Sequence, residues 1–199
     1  MKMLAVIVAG GSASRLGGET KAFIDMGGRN VLDREVKVLL GIADEVVINA
    51  NLGRETFEAA GYEVIEDLLK TVRTPLAGLH RSLMYARDEG FDAVLTVPSD
   101  TPFLPGDLGA RLKQAWEGRA AVVASGNRTH FLTGLWAVKL FEILDAAIVR
   151  DGLLRVQDWV KLSNAAVVSW PDQPYDPFFN INTPDDLAEA QRIAAEFGL

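Results

Sequence analysis

The chain has 199 residues, 49% of them hydrophobic and 24% charged, proportions of a single globular unit and far from those of a disordered or collagen-like chain. Asp and Glu number 27 against 20 Lys and Arg, for a net charge of −7, which excludes a general nucleic-acid binder because affinity for phosphate backbones needs clustered positive charge. The absence of cysteine excludes disulfides, iron–sulfur clusters and thiolate zinc sites, and the two histidines, His80 and His130, are too few for an ordinary zinc centre.

The first apolar run, Met3 to Val8, reads as a strand. It is broken by Gly10-Gly11 and is too short for a signal sequence or a membrane span, so a cytoplasmic protein with no membrane partner is expected. Helical spacing follows in Val31, Leu32, Val36, Leu39 and Leu40, then strand-like runs at Val46–Ile48 and Val64–Ile65. Leu79, Leu83 and Met84 again mark a helix, Ala93–Val97 a strand, Leu108 and Leu112 a helix, Ala120–Ala124 and Ala166–Trp170 strands, and Leu187, Ala190 and Ile193 a last helix. This alternation, with strands apolar on both faces, predicts a Rossmann-like three-layer αβα sandwich: one domain over residues 1–199 built on a mostly parallel sheet. Residues 119 to 183 are less regular and read as an excursion that completes one side of the cleft. In such folds ligands meet the carboxyl ends of strands, which directs attention to residues 9–21, 49–53 and 98–105.

The first of these loops follows its strand directly as Val8-Ala9-Gly10-Gly11-Ser12-Ala13-Ser14-Arg15-Leu16-Gly17-Gly18-Glu19-Thr20-Lys21. Glycines allow close approach of backbone amides to a polyphosphate, and Arg15 and Lys21 can neutralise its outer charges. A flexible turn with solvated charges is the plainer alternative. Two common phosphate motifs do not fit: there is no Gly-Lys-Ser/Thr ending, and the spacing of Gly10, Gly11, Gly17 and Gly18 is not the dinucleotide fingerprint.

The loop does resemble the Ala-Gly-Gly, three residues, Arg-Met/Leu-Gly, then Lys signature of the MobA family, the molybdenum cofactor guanylyltransferases of the nucleotidyltransferase superfamily. Asn49-Ala50-Asn51, Ile65-Glu66-Asp67, Pro75-Leu76-Ala77-Gly78, Val97-Pro98-Ser99-Asp100-Thr101-Pro102-Phe103 and Phe178-Phe179-Asn180-Ile181-Asn182-Thr183-Pro184 follow in the family's order. The resemblance is weakest over 105–170. It implies GMP transfer from GTP to the terminal phosphate of molybdopterin or the molybdenum cofactor, with Mg²⁺ as cofactor and pyrophosphate released. It implies that the N-terminal half binds nucleotide and the C-terminal part completes the acceptor site, with cofactor-insertion proteins and target molybdoenzymes as further partners.

Asp100 ends a buried strand between two prolines, where a carboxylate faces the cleft; on position alone it is either a magnesium-holding ligand or a cap for loop amides. The resemblance selects the metal role, and with Lys21 and Arg15 makes Asp100 catalytic. By the same resemblance Val8, Ala9, Gly10, Gly11, Lys21, Asn49, Asp67, Gly78 and Asp100 bind nucleotide, with Asx turns the alternative for Asn49 and Asp67. Asn180 and Asn182, one residue apart in an extended stretch, project to one face and suit a polar pterin acceptor; Thr183 can cap the following helix without them. His130 beside Phe131 and Leu132 reads as a packed residue, Trp170, Tyr175, Phe178 and Phe179 as packing, and Glu142, Asp145, Arg150 and Asp151 as a solvated face.

The family has Asp-Lys where Thr20-Lys21 stands, which bears on how Lys21 is oriented, and His-Pro where His130-Phe131 stands, which bears on the local chain path. Other readings of the same residues are a cytidylyltransferase, a sugar-phosphate nucleotidylyltransferase and a noncatalytic nucleotide-binding relative.

Overall fold

A computed structural model describes residues 1–9, the backbone of 15, 16, 19 and 20, and residues 21–199. In chain order the first half holds β1 (Met3–Val8), the short strands β2 (Arg15–Leu16) and β3 (Glu19–Thr20), a 3₁₀ turn at Lys21–Phe23, α1 (Val31–Leu39), β4 (Glu45–Asn49), α2 (Arg54–Ala59), β5 (Val64–Ile65), α3 (Pro75–Asp88) and β6 (Ala93–Pro98). The second half holds α4 (Leu108–Ala115), β7 (Ala120–Ser125), β8 (Arg128–Ala137), a 3₁₀ turn at Val138–Leu140, α5 (Phe141–Val149), α6 (Val156–Leu162), β9 (Ala166–Trp170) and α7 (Pro184–Phe197).

Seven strands form one sheet in the order β5-β4-β1-β6-β8-β7-β9. All its pairings are parallel except those of β8, which runs against both β6 and β7. Both faces of β1 are buried because alternate side chains enter different layers. Met3, Ala5 and Ile7 pack with Leu32 and Leu39 of α1 and Leu108 and Leu112 of α4, while Leu4, Val6 and Val8 pack with Leu76, Leu79 and Leu83 of α3, Leu144 of α5 and Trp159 of α6. Each such Leu removed from water contributes about 1.5–3 kcal/mol, so the two cores hold the helices to the sheet. A third cluster fastens α7, through Ala190 and Ile193, to Met26, Val31, Phe103 and Ile181. These layers are the αβα sandwich expected from the sequence.

The expected irregularity between 119 and 183 is corrected: β7, β8 and β9 extend the sheet there, and α5 and α6 cover it. The strand β8 lacks a uniform apolar run because it opens with Arg128-Thr129-His130 and then bulges. Its signal is the Gly126-Asn127 pair between two extended runs, a two-residue hairpin turn in which Gly126 takes φ +51°. Past the hairpin, Val123 faces His130 but Val122 faces Gly134, so Phe131, Leu132 and Thr133 stand opposite no residue of β7. The Leu132 carbonyl, freed by this bulge, accepts from Thr96 Oγ1 at 2.6 Å. No helix among the described residues is long and apolar enough to cross a membrane.

Candidate functional site

The carboxyl edge of the parallel strands draws three of the expected loops together. Ala9 N donates to the Asn49 carbonyl at 2.8 Å and Ser99 N to the Val8 carbonyl at 3.3 Å, so the ends of β1, β4 and β6 are tied side by side. Val8 and Ala9 are buried at this edge. Gly10 and Gly11 lie outside the described residues, as do the side chains of Arg15 and Thr20. The antiparallel pairing of β2 with β3 returns the chain to Lys21.

Lys21 is 4% exposed and stands at the centre of a polar cluster. Its Nζ donates to Asn182 Oδ1 at 3.0 Å and lies 3.9 Å from Asp100 Oδ2, while Asp100 Oδ1 accepts from Asn180 Nδ2 at 2.8 Å. The Ile181 amide also donates to the Asp100 carbonyl at 3.0 Å, which locks the Asn180–Asn182 stretch to the end of β6. Both asparagines therefore reach one face, and helix capping is left to Thr183 and Asp186, whose side chains and amides exchange hydrogen bonds in a capping box. Burial pushes the Asp100 carboxyl above the usual aspartate range, opposed by the charge of Lys21, the Asn180 hydrogen bond and the charge of Arg128. The sequence reading did not single out Glu35, a wholly buried residue of α1 whose Oε1 accepts from the Thr101 amide at 3.0 Å and thereby holds the residue after Asp100. Burial drives that carboxyl well above the ordinary glutamate range.

A second cluster lies one strand away. Asn49, fully buried, donates from Nδ2 to Asp67 Oδ1 at 2.9 Å and to the Ile65 carbonyl at 3.2 Å. Asn51 exchanges two bonds with Asp67, Nδ2 to Oδ2 at 2.6 Å and Oδ1 from the backbone amide at 2.9 Å. Gly78 on α3 explains why the helix can lie so close: a Cβ there would fall 2.4 Å from Asn49 Oδ1 and 2.9 Å from Val8 Cγ1.

Beside the Lys21 cluster opens a cavity of about 490 Å³, walled by Pro75, Pro98, Arg128, His130, Arg155 and Asn180 together with the bulged residues of β8. Asn180 belongs to both, bonding Asp100 on one side and lining the cavity on the other. His130 is a packed residue, sharing a 2.8 Å hydrogen bond between its Nε2 and Ser125 Oγ and stacked 5.3 Å from the Phe178 ring, and its burial holds it below the usual histidine range. Arg128 and Arg155 were not singled out from sequence; the hairpin signal at Gly126-Asn127 is what could have placed Arg128 at this edge. No group of three or more metal-ligating side chains converges among the described residues. The single carboxylate of Asp100 suits a hard divalent ion that takes its remaining oxygens from a polyphosphate and water.

The chain's relatives match over nearly its whole length. A family model described as MobA-like NTP transferase domain matches residues 5–173. Two curated relatives, both named molybdenum cofactor guanylyltransferase, come from Nitrobacter hamburgensis, 40% identical over 96% of this chain and 93% of the relative, and from Cereibacter sphaeroides, 38% identical over 97% of each. Among solved structures, molybdopterin-guanine dinucleotide biosynthesis protein A from Archaeoglobus fulgidus superposes with a TM-score of 0.70 at 23% identity, covering 98% of this chain and 99% of the other. The 2-C-methyl-D-erythritol 4-phosphate cytidylyltransferase from Thermus thermophilus superposes with a TM-score of 0.72, also at 23% identity, over 98% of this chain and all of the other. The two structures speak for the fold, while the family model and the 40% relatives bear on descent. With Lys21, Asp100 and the paired asparagines at that fold's carboxyl edge, the chain belongs to the MobA-like NTP transferase family.

Proposed function

We propose that this protein transfers GMP from GTP to the terminal phosphate of molybdopterin or its molybdenum-bound form, in the cytoplasm, with cofactor-insertion proteins and molybdoenzymes downstream. The observation that carries the reading is the shared wall: Asn180 joins the Lys21–Asp100 cluster to a cavity of about 490 Å³, so a triphosphate and an acceptor can meet across one residue. The names of the 40% relatives supply the choice of base and acceptor.

A phosphate oxygen of the acceptor attacks the α-phosphorus of GTP in line with the bond to the bridging oxygen. The new P–O bond forms as the old one breaks, and pyrophosphate carries away the electron pair. The attacking phosphate is already anionic, so no strong general base is needed, in keeping with a neutral, packed His130. Lys21, held by Asn182, and Arg15 neutralise phosphate charge, and Val8, Ala9, Gly10 and Gly11 bind the nucleotide beside them, the Ala9 amide itself being held by the Asn49 carbonyl. Asp100 would hold Mg²⁺, which neutralises and orients the phosphates when bound. Asp67 accepts from the nucleoside, Asn49 orients its carboxylate, and Gly78 leaves room for that pair. Asn180 and Asn182 set the acceptor against this assembly.

The test is to incubate the purified protein with Mg²⁺, molybdopterin and either GTP or CTP, and to identify the nucleotide in the product while following pyrophosphate. A guanine dinucleotide product is expected, with GTP preferred about a hundredfold if two buried polar groups are mismatched by the wrong base. A cytosine product, transfer only to a sugar phosphate, or no pyrophosphate at all would replace this reading by the cytidylyltransferase, sugar-nucleotide and noncatalytic alternatives in turn.

A further inference from the structure

Three residues that line the cavity beside Asp100 each carry a buried side-chain oxygen with no hydrogen-bond partner among the described residues: Thr74 Oγ1, Thr133 Oγ1 and Asn180 Oδ1. Each has lost water without a compensating bond, an arrangement that a ligand with a polar edge repairs and an apolar ligand does not. Thr133 is the most telling of the three. It is 1% exposed, and it belongs to the bulge that stands away from β7, so its orientation is a product of the bulge and not of ladder pairing. The neighbouring bulge carbonyl, Leu132 O, is satisfied by Thr96 Oγ1, and that hydroxyl in turn accepts from Trp136 Nε1 at 2.8 Å. The bulge is thus braced from behind while the buried Thr133 hydroxyl is left without a partner among the described residues.

At the other end of the same strand segment stands Arg128. It is exposed and lines the cavity together with Asn180, the residue that bonds Asp100. Arg155, the other cavity arginine, is paired with Asp158 at 2.7 Å, whereas among the described residues no carboxylate lies within ion-pair distance of Arg128. Register fixes which end is which. Gly134 pairs with Thr96, so Thr133 stands beside β6 below its carboxyl edge, and Arg128, five residues earlier on the antiparallel β8, stands out at the rim.

We infer that the segment from Arg128 to Thr133 is the wall that recognises the acceptor: Arg128 neutralises its attacking phosphate and Thr133 Oγ1 hydrogen-bonds its polar heterocycle. The inference rests on the transfer reaction proposed above and adds to it two residues and a pose, phosphate toward Asp100 and ring toward the bulge. Bringing an anionic acceptor against a triphosphate is opposed by charge repulsion, and Arg128 is the cation placed where the two meet.

The test uses wild-type protein, Thr133→Val, Arg128→Ala and Arg128→Lys with Mg-GTP and molybdopterin. Wild-type turnover, followed by pyrophosphate and product, comes first; its absence would reject the transfer reading itself and leave the wall without a substrate. Given turnover, Thr133→Val keeps the side-chain volume and removes an unpartnered hydroxyl, so its thermal unfolding temperature should hold or rise while KM for molybdopterin rises at least about tenfold and KM for GTP stays put. Arg128→Ala should lower kcat/KM for the acceptor about a hundredfold, with Arg128→Lys recovering part of it and GTP affinity by titration unchanged in both. Unchanged acceptor kinetics in Thr133→Val, or a loss in Arg128→Ala matched by an equal loss of GTP affinity, would overturn the inference.

Discussion

Asp100 is held by its surroundings in a state that costs stability, and the proposed metal role would use its charge. Because burial raises its affinity for a proton, its charge is a net burden on the fold, and Asp100→Asn should unfold no earlier than the wild type on heating. The same variant should lose about a hundredfold or more in turnover, since the carboxylate proposed to hold the divalent ion has lost its charge. Lys21→Ala should weaken GTP binding and catalysis far more than Lys37→Ala, whose side chain is exposed on α1. Added salt should reproduce little of that defect, because Lys21 is buried and buried pairs are poorly screened. Glu35 allows a test with pH. Its folded carboxyl takes up a proton well above 4.5, so between that value and its folded titration point the native state binds more protons than the unfolded chain, and stability falls as pH rises. Glu35→Gln, which keeps an acceptor for the Thr101 amide, should match the wild type near pH 4 and gain on it toward neutrality in thermal unfolding.

Helix α3 owes its position to one missing side chain. Alanine at Gly78 would favour the helix by about 1 kcal/mol but would drive a Cβ into Asn49 Oδ1, a clash that costs about 1–3 kcal/mol. The clash wins, so Gly78→Ala should unfold earlier in denaturant and, by shifting Asn49 off Asp67, bind GTP more weakly in titration. Elements like α3 are legible in the sequence because Leu76, Leu79 and Leu83 face a single core, and β1, β4, β6, β7 and β9 because their apolar runs are buried on at least one side. The candidate site was legible in part, through residues at or just past strand ends, such as Asn49 and Asp100. What escaped was whatever depends on distant pairing: Lys21 meets Asn182 across 161 residues, Thr101 meets Glu35 across 66, and no local pattern carries either distance. The bulge of β8 escaped for a related reason, since an extra run of residues between two register points is set by the neighbouring strands.

The molecule as a whole is a site stitched from both ends of the chain. Val8, Ala9 and Lys21, residues 98–101 and residues 180–182 converge at the edge of one sheet, so a ligand gripping all three braces segments that the cores hold separately. Saturating Mg-GTP at about 100 times its dissociation constant stabilises by about 2.7 kcal/mol, which for a chain of this size raises the unfolding temperature by about 5–10 °C. Scanning calorimetry should show this rise in the wild type and a much smaller one in Lys21→Ala. The reversed direction of β8 sets how the far side of the cleft is built. A parallel strand reaches this edge with its end and must hand over to a loop, whereas β8 arrives with its beginning, straight out of a two-residue hairpin. Part of the proposed acceptor wall, residues 126–133, is thereby carried on a hairpin whose second strand pairs with β6 and β7 and not with β4, the strand that ends in Asn49. The wall proposed for the acceptor can therefore vary at a hairpin tip without moving the strand that presents Asn49 to Asp67.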